Sequence, residues 1–334
     1  MITISLCMIV KNEEAVLARC LDSVADLVDE LIIVDTGSTD ATREIAGQYT
    51  DKVYEFEWID DFSAARNYSI SKATMEYIYV ADADEVLDEN NRQKFVQVKQ
   101  ALLPEIDVVQ MKYGNQLEFG TTYNFDEEYR PKLYKRLRPL YFVDPIHETA
   151  QLDPIIYDSD IIIQHLPLES HAKRDFSVFQ KTIKQGIRLS KKLHNMYARE
   201  LFIAGEKTDF LEACSFFMDS LEDEKRDIEE IKESSCVVAR AARLNNDIPL
   251  FFKNCLKNIA TTPCSEICYE LGGYYYELQD YKEAIIWYYN AAYESESLLN
   301  INYSGSLPLL RLGDCYEQMG NGLQAEEYRR MADQ

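Results

Sequence analysis

The residues with the clearest chemical potential are three acids crowded at the end of one apolar run. Residues 77–81 read Tyr-Ile-Tyr-Val-Ala, and Asp82, Asp84 and Glu85 follow at once. β-branched and aromatic residues in such a run mark a buried strand, so a hydrophobic element ends in concentrated negative charge. Asp82 and Asp84 are two apart, which on an extended strand end turns both carboxylates the same way. That spacing suits one hard cation held against a phosphate. An isolated Asp-x-Asp also fits the acidic first turn of a helix, favoured there by the helix dipole. Two upstream segments favour the first reading: Asn12 and Glu13 follow one apolar run, and Asp35 closes another.

The elements that must position these groups alternate between strand and helix. Residues 3–10 are strand-like, and Leu17, Cys20, Leu21 and Val24 then recur at the i, i+3, i+4, i+7 spacing of a helix lying on a sheet. Residues 30–35 form a second apolar run. Gly37 after it permits a turn, and Thr39 or Asp40 is placed to cap a helix carrying Ile45, Ala46 and Tyr49. A third strand over 52–57, a helix over 62–73 that carries Arg66 and Asn67, and the strand at 77–81 complete the series. Such alternation predicts a mostly parallel, doubly wound sheet whose ligands sit beyond the carboxyl ends of the strands. Asn12, Glu13, Asp35, Asp82 and Asp84 all fall at those ends. Strands are further expected over 108–113, 132–134, 141–143 and 161–165, with a polar, acidic loop over 114–130 that serves as an acceptor loop or merely as a solvated one.

The 334 residues suffice for about two domains, and 46% hydrophobic content with 12% aromatic supplies the core. A formal net charge of -23 argues against nucleic acid or an anionic membrane surface as the partner. Residues 1–10 read as a first strand rather than a signal segment. No apolar run approaches the roughly 20 residues of a membrane span, and a cytoplasmic protein is expected. The eight cysteines are scattered without a C-x-x-C pair, as buried thiols would be.

After Pro167 the pattern turns helical. Phe176, Phe179, Ile183 and Ile187 predict a long amphipathic helix, and Leu271, Gly272, Tyr275, Ala284 and Ala291 recur 41 positions on as Leu312, Gly313, Tyr316, Ala325 and Ala332. Leu-Gly-x-x-Tyr followed by Ala resembles the tetratricopeptide helix pair, although its usual period is about 34. Residues 209–217 and 236–256 suggest degenerate earlier copies. The expected division is 1–168, α/β; 169–195, a connecting helix; and 196–334, helical repeats. The tyrosines at 269–293 are expected to pack between helices; a homodimer through such helices is compatible with the pattern.

The ordered set Cys7 to Glu14, Ile32 to Asp40, Ala65 to Asn67 and Ala81 to Glu85 resembles family 2 glycosyltransferases of the GT-A type, over about the first 170 residues. The helical tail resembles a bacterial subgroup with fused repeats, which includes the sublancin-type enzymes that glycosylate a bacteriocin peptide cysteine. The resemblance implies a Rossmann-like GT-A domain followed by an all-α repeat domain, a UDP-sugar donor, Mg²⁺ or Mn²⁺, and inverting transfer of a hexose. It places Ile9, Val10, Asn12, Glu13, Asp35, Arg66 and Asp82 around the nucleotide sugar. Asp84, with Asp82, and His165 would take the metal. Inversion needs a base to remove the acceptor's proton. Glu148 is favoured and His147 stays open; in an extended segment the two neighbours face opposite ways. The acceptor is read as a peptide Cys or Ser side chain or a cell-surface glycan. The alternatives are an idle scaffold gripping a peptide through the repeats, or a nucleotidyltransferase, which would want a glycine-rich loop where Lys11 to Glu14 stand.

Overall fold

The computed structural model describes residues 1–114, 128–138, 140–146, 149–150, 153–166, 172–260 and 262–333. Two compact units divide the chain, Met1–Val178 and Phe179–Gln334.

Among the described residues the first unit is built on ten strands: β1 (Ile4–Val10), β2 (Glu30–Asp35), β3 (Val53–Glu55), β4 (Tyr77–Val80), β5 (Glu85–Val86), β6 (Val108–Gly114), β7 (Glu128–Lys135), β8 (Phe142–Val143), β9 (Thr149–Ala150) and β10 (Ile156–His165). Eight of them form one sheet in the order β3-β2-β1-β4-β7-β6-β10-β5, and β8 pairs with β9 separately. Strands β1, β2, β3 and β4 run parallel, as does β10 beside β6, while β7 and β5 run against their neighbours. The sheet is thus mostly parallel, as expected. It is flanked by α1 (Leu17–Val24), α2 (Thr42–Tyr49), α3 (Phe62–Ser71) and α4 (Glu89–Ala101).

Alternation along the central strands feeds two cores. Leu6, Met8, Leu31, Ile33, Tyr77 and Tyr79 pack with Leu17, Leu21 and Phe95 on one face. Cys7, Ile32, Val34, Ile78 and Val80 pack with Ala73 and Phe142 on the other. Because both faces are covered, these strands read as continuous apolar runs rather than alternating ones.

One ion cluster braces the opposite, amino-terminal ends of β1 and β2. The Glu30 carboxylate accepts from Lys52 Nζ at 2.5 Å, from the Thr74 backbone N–H at 2.8 Å and from Thr74 Oγ1 at 2.9 Å, and also from the Ser5 hydroxyl. Burial pushes its carboxyl up, but these donors outweigh burial and hold it down from 4.5 to about 2. A depressed carboxyl stabilises the fold above its unfolded value, and that contribution is lost as pH falls through about 2. Glu30→Gln should therefore cost about 2 kcal/mol at neutral pH, after discounting the half-exposed Lys52, and should flatten the loss of stability between about pH 4.5 and 2. Urea unfolding at pH 7 and 3 checks this; equal midpoints for variant and parent at pH 7 would refute it.

The boundary between units falls inside α5 (Ala172–Lys184). Helix α5 stops before Ile187, because Gly186 takes a left-handed φ of +75° and Ser190 then caps α6 (Lys191–Ala204) with its Oγ. The stretch 169–195 is consequently not one helix, and Ile187 is exposed rather than on a core face.

The second unit continues with α7 (Lys207–Glu222), α8 (Ile228–Leu244), α9 (Ile248–Ile259), α10 (Ser265–Glu277), α11 (Tyr281–Tyr289), α12 (Ser306–Gln318) and α13 (Gly322–Ala332). Helices α10/α11 and α12/α13 form hairpins in which the repeated Gly272 and Gly313 let backbones approach: a Cβ on Gly272 would meet the Tyr288 ring at 2.7 Å, and one on Gly313 the Ala325 carbonyl at 3.1 Å. The lengthened 41-residue period arises between the hairpins, where a π turn at Asn290–Glu294 and a 3₁₀ turn at Ile301–Ser304 are inserted. Tyrosines do pack between helices, Tyr269 against Tyr288 and Tyr316 against Tyr328, whereas Tyr289 and Tyr293 stay partly exposed. All eight cysteines are free thiols, seven of them buried. Among the described residues no helix is long and apolar enough to cross a membrane.

Candidate functional site

The site lies at the carboxyl ends of β1, β2 and β4, where the register sets Val10 opposite Asp35 and Cys7 opposite Val80. The path of the chain beyond β4 is decisive. It leaves the centre of the sheet at Val80 and, after only four intervening residues, enters β5, which pairs with β10 at the far edge. Residues 81–84 therefore form a crossing from β4 to β5, strands between which β7, β6 and β10 stand in the sheet. The crossing is tied at its end by Glu85 paired with His165 and by the Leu166 N–H donating to the Asp84 carbonyl at 3.0 Å.

This path brings Asp84 to His165, 81 residues away in sequence: Oδ2 lies 3.1 Å from Nε2. Both side chains are mostly covered, at 12% and 16% exposure. Asp82 is more open and faces two cations, Arg66 Nη2 at 3.2 Å and Lys132 Nζ at 3.8 Å. Desolvation in the cleft works against its charge, but Arg66 and Lys132 prevail and hold Asp82 well below the usual carboxylate range. Arg66 reaches it from α3, whose first turn is capped by Asp61 accepting from the Ala64 N–H at 3.1 Å.

A second cluster organises the loops after β1 and β2. Asp35 accepts from the Ser38 hydroxyl at 2.5 Å and from the Ser38 N–H at 3.1 Å, so its carboxylate folds back onto its own turn, where Gly37 adopts a φ of +103°. Asn12, itself left-handed at +56°, accepts from the Thr39 N–H at 2.8 Å, and its own N–H donates to Ser38 Oγ at 2.9 Å. Its side chain thus clasps one loop to the other. Neither expected residue caps α2, whose N-cap is Ala41 with no side-chain bond; Asp40 stands one residue earlier and accepts from the Thr42 N–H at 3.0 Å within the turn.

Glu13 links the clusters. Its N–H donates to Thr42 Oγ1 at 2.7 Å. Burial, then the negative fields of Asp84, Asp82 and Asp40, push its carboxyl up to about 7 against the pull of Arg174. Val10 is buried in the core and its carbonyl accepts from the Thr36 N–H at 3.0 Å; Ile9 is half-buried on the opposite face. His147 and Glu148 lie outside the described residues. Just before them, the Pro145 carbonyl accepts from the Phe62 N–H at 2.9 Å at the start of α3.

Two contributors, Lys132 and Tyr113, escaped sequence reasoning. Lys132 of β7 is 5% exposed and pairs with Glu85, 2% exposed, directly beneath the crossing. Burial pushes the Glu85 carboxyl up to about 7, with Lys132 opposing it. Tyr113, at the end of β6, is the ring on which Lys132 (5.2 Å), Arg130 (4.2 Å) and His165 (5.0 Å) gather. The only sequence signal for Lys132 was a charge standing among the apolar residues of a strand. Glu128, Tyr129 and Arg130, expected in a loop, belong to β7 and pair with Tyr113, Lys112 and Met111.

Two donor atoms about 2.1 Å from one octahedral ion lie about 3 Å apart, so the Asp84–His165 spacing fits a shared divalent cation. A carboxylate with an imidazole suits Mn²⁺ or Mg²⁺ once phosphate oxygens complete the shell. Among the described residues no group of three His, Cys, Asp or Glu side chains closes on one point, so protein donors alone would leave such an ion mostly open.

Residues 5–151 match the family model described as Glycosyl transferase family 2. A TPR repeat-containing protein of Synechococcus elongatus is 55% identical over 87 residues, 26% of this chain and 22% of that protein. The SPbeta prophage-derived glycosyltransferase SunS of Bacillus subtilis is 33% identical over 165 residues, 48% of this chain and 36% of that protein. The matches thus span little more than a third of these relatives' length at most. A glucosyl-3-phosphoglycerate synthase from Mycobacterium tuberculosis, solved with Mn²⁺ and UDP-glucose, aligns over 57% of this chain and 81% of that chain, with a TM-score of 0.40 and 17% identity.

Proposed function

We propose, for a chain whose residues 5–151 match the family 2 glycosyltransferase model, that it transfers a hexose from a UDP-sugar to an acceptor nucleophile with inversion, in a divalent-metal-dependent reaction. The observation that supports this most is the meeting of Asp84 and His165 beside a cation-bound Asp82 at the carboxyl ends of parallel strands.

Each group has a distinct task. Asp84 and His165 would hold Mg²⁺ or Mn²⁺, with Asp82 close by. Bound there, the ion neutralises charge developing on the departing diphosphate. Asp82, already matched by Arg66 and Lys132, is suited to orient the ribose or the diphosphate through its remaining lone pairs. Asp35 would accept from the uracil ring, and Asn12 and Glu13 line the nucleoside side, with the backbone at Ile9 and Val10 below. Arg66 adds positive charge beside the phosphates. At the reacting carbon the acceptor must lose its proton as it attacks, and Glu148 or His147 takes it; the anchored Pro145 starts that segment beside α3. The acceptor is read as a peptide Cys or Ser side chain gripped by the helical repeats.

Incubation with UDP-glucose or UDP-N-acetylglucosamine and Mn²⁺ is expected to give slow UDP release by hydrolysis, lost on chelation of the metal. Absence of release together with absence of binding for every UDP-sugar tried would overturn the proposal.

A further inference from the structure

The acids of the crossing segment stand over a charge that the proposed reaction does not use. Lys132 is fixed by three neighbours: it donates to Glu85, its Nζ is 3.8 Å from Asp82 Oδ2, and it lies 5.2 Å from the centroid of the Tyr113 ring. Its side chain is 6% exposed and that of Glu85 2%, so neither charge is screened by solvent. A buried charge keeps its place only when paired, and each member here is the other's direct partner. The pair is also next to the cation-binding groups in the chain, since Glu85 follows Asp84 and pairs in register with His165.

We infer that the Glu85–Lys132 pair is a positioning element that sets how strongly the Asp84–His165 site attracts a divalent cation. The inference rests on the metal-dependent reading above. In the paired state the two charges nearly cancel at the cation, and Lys132 also occupies Asp82, leaving Asp84 and His165 to face the ion. Removing one member unbalances the field with a sign that depends on which is removed. Glu85→Gln leaves the Lys132 ammonium beside the site without its direct partner, with Asp82 alone to balance it, and so repels the ion. Lys132→Met removes the ammonium's repulsion, releases Asp82 from it and so attracts the ion. A merely structural pair would behave otherwise, because damage to packing weakens binding in both variants.

The test is Mn²⁺ titration followed by electron paramagnetic resonance on the full-length protein in the presence of UDP, with no turnover involved. Glu85→Gln is expected to weaken Mn²⁺ by about tenfold or more, Lys132→Met to tighten it by a similar factor, and the double variant to return within about threefold of the parent. Lys132→Arg, which keeps the charge, should bind Mn²⁺ as the parent does. Lys132→Met leaves a buried carboxylate alone and is the variant most prone to unfold; Glu85→Gln and the double variant then carry the test. Weakening in the double variant equal to that in Glu85→Gln, or tightening in Glu85→Gln, would overturn the inference. A parent protein that binds no Mn²⁺ with UDP would overturn the metal-dependent reading as well, which separates the two failures.

Discussion

Asp84→Ala is expected to lower UDP release from a UDP-sugar by about a thousandfold or more, equivalent to roughly 4 kcal/mol of lost transition-state stabilisation. The reason is the division of labour between the two aspartates. Asp82 cannot replace its neighbour, because Arg66 at 3.2 Å and Lys132 at 3.8 Å already claim it. His165 alone would offer the ion one neutral donor. Replacement of Asp84 leaves the crossing intact, since its anchor to Leu166 runs through the Asp84 carbonyl. The variant should therefore melt close to the parent while losing its Mn²⁺ requirement along with its turnover. Parental turnover in the variant would refute the assigned role. A helical unit that only grips peptide would keep its peptide affinity in this variant, so binding without transfer separates scaffold from enzyme.

A large effect on stability in the second unit is expected at Gly272. A methyl group there would meet Cδ1 and Cε1 of Tyr288 at 2.7 Å and Cγ at 2.9 Å. The ring cannot yield, being fully buried and packed edge-to-face on Tyr269 at 5.3 Å. Glycine-to-alanine in a helix gains about 1 kcal/mol of propensity, and overpacking a core costs about 1–3 kcal/mol or more. At Gly272 the clash should win, for a net loss of about 2 kcal/mol. At Gly313 the nearest atoms are 3.1 Å away and include the flexible Arg329 side chain, so alanine should be close to neutral. At Gly47, in α2, nothing lies within 4 Å and alanine should stabilise by up to about 1 kcal/mol. Urea midpoints for the three variants should fall in the order Gly47, Gly313, Gly272; any other order would show that helix contact is not what requires glycine at 272.

Much of the first unit was legible because its signals are local. The spacing of Leu17, Cys20, Leu21 and Val24 corresponds to the four buried residues of α1, and residues 30–35 form β2 without remainder. Gly37 supplied the turn that its type suggested. What stayed hidden is pairing at long range. Nothing in the order of residues says that β5 would leave β4 for the opposite edge of the sheet, and so the approach of Asp84 to His165 was expected only through a family resemblance. Lys132 was missed for the same reason: its partner Glu85 lies 47 residues back and on another strand. The loop expected at 128–130 is strand because edge-to-edge hydrogen bonding needs no apolar alternation, and these side chains are only partly buried. Helix α4 was not announced either, since only Asn91 and Phe95 are buried along its length. In the tail, the recurring Leu-Gly-x-x-Tyr and Ala positions were readable as helix pairs, but the close contacts at their glycines and the inserted π and 3₁₀ turns were not.

The crossing of residues 81–84 is held at both ends by main-chain hydrogen bonds, from Ala81 to Cys7 before it and from Leu166 to Asp84 after it. Its span works as a ruler. Only Ala81 and Ala83 along it carry no charge of the site, while the number of residues matters as much as the two aspartates: one more or one fewer would shift the phase of the chain and bring Ala83 or Glu85 to the imidazole instead. Divergence among chains of this kind should accordingly conserve the length of this bridge as strictly as its two aspartates.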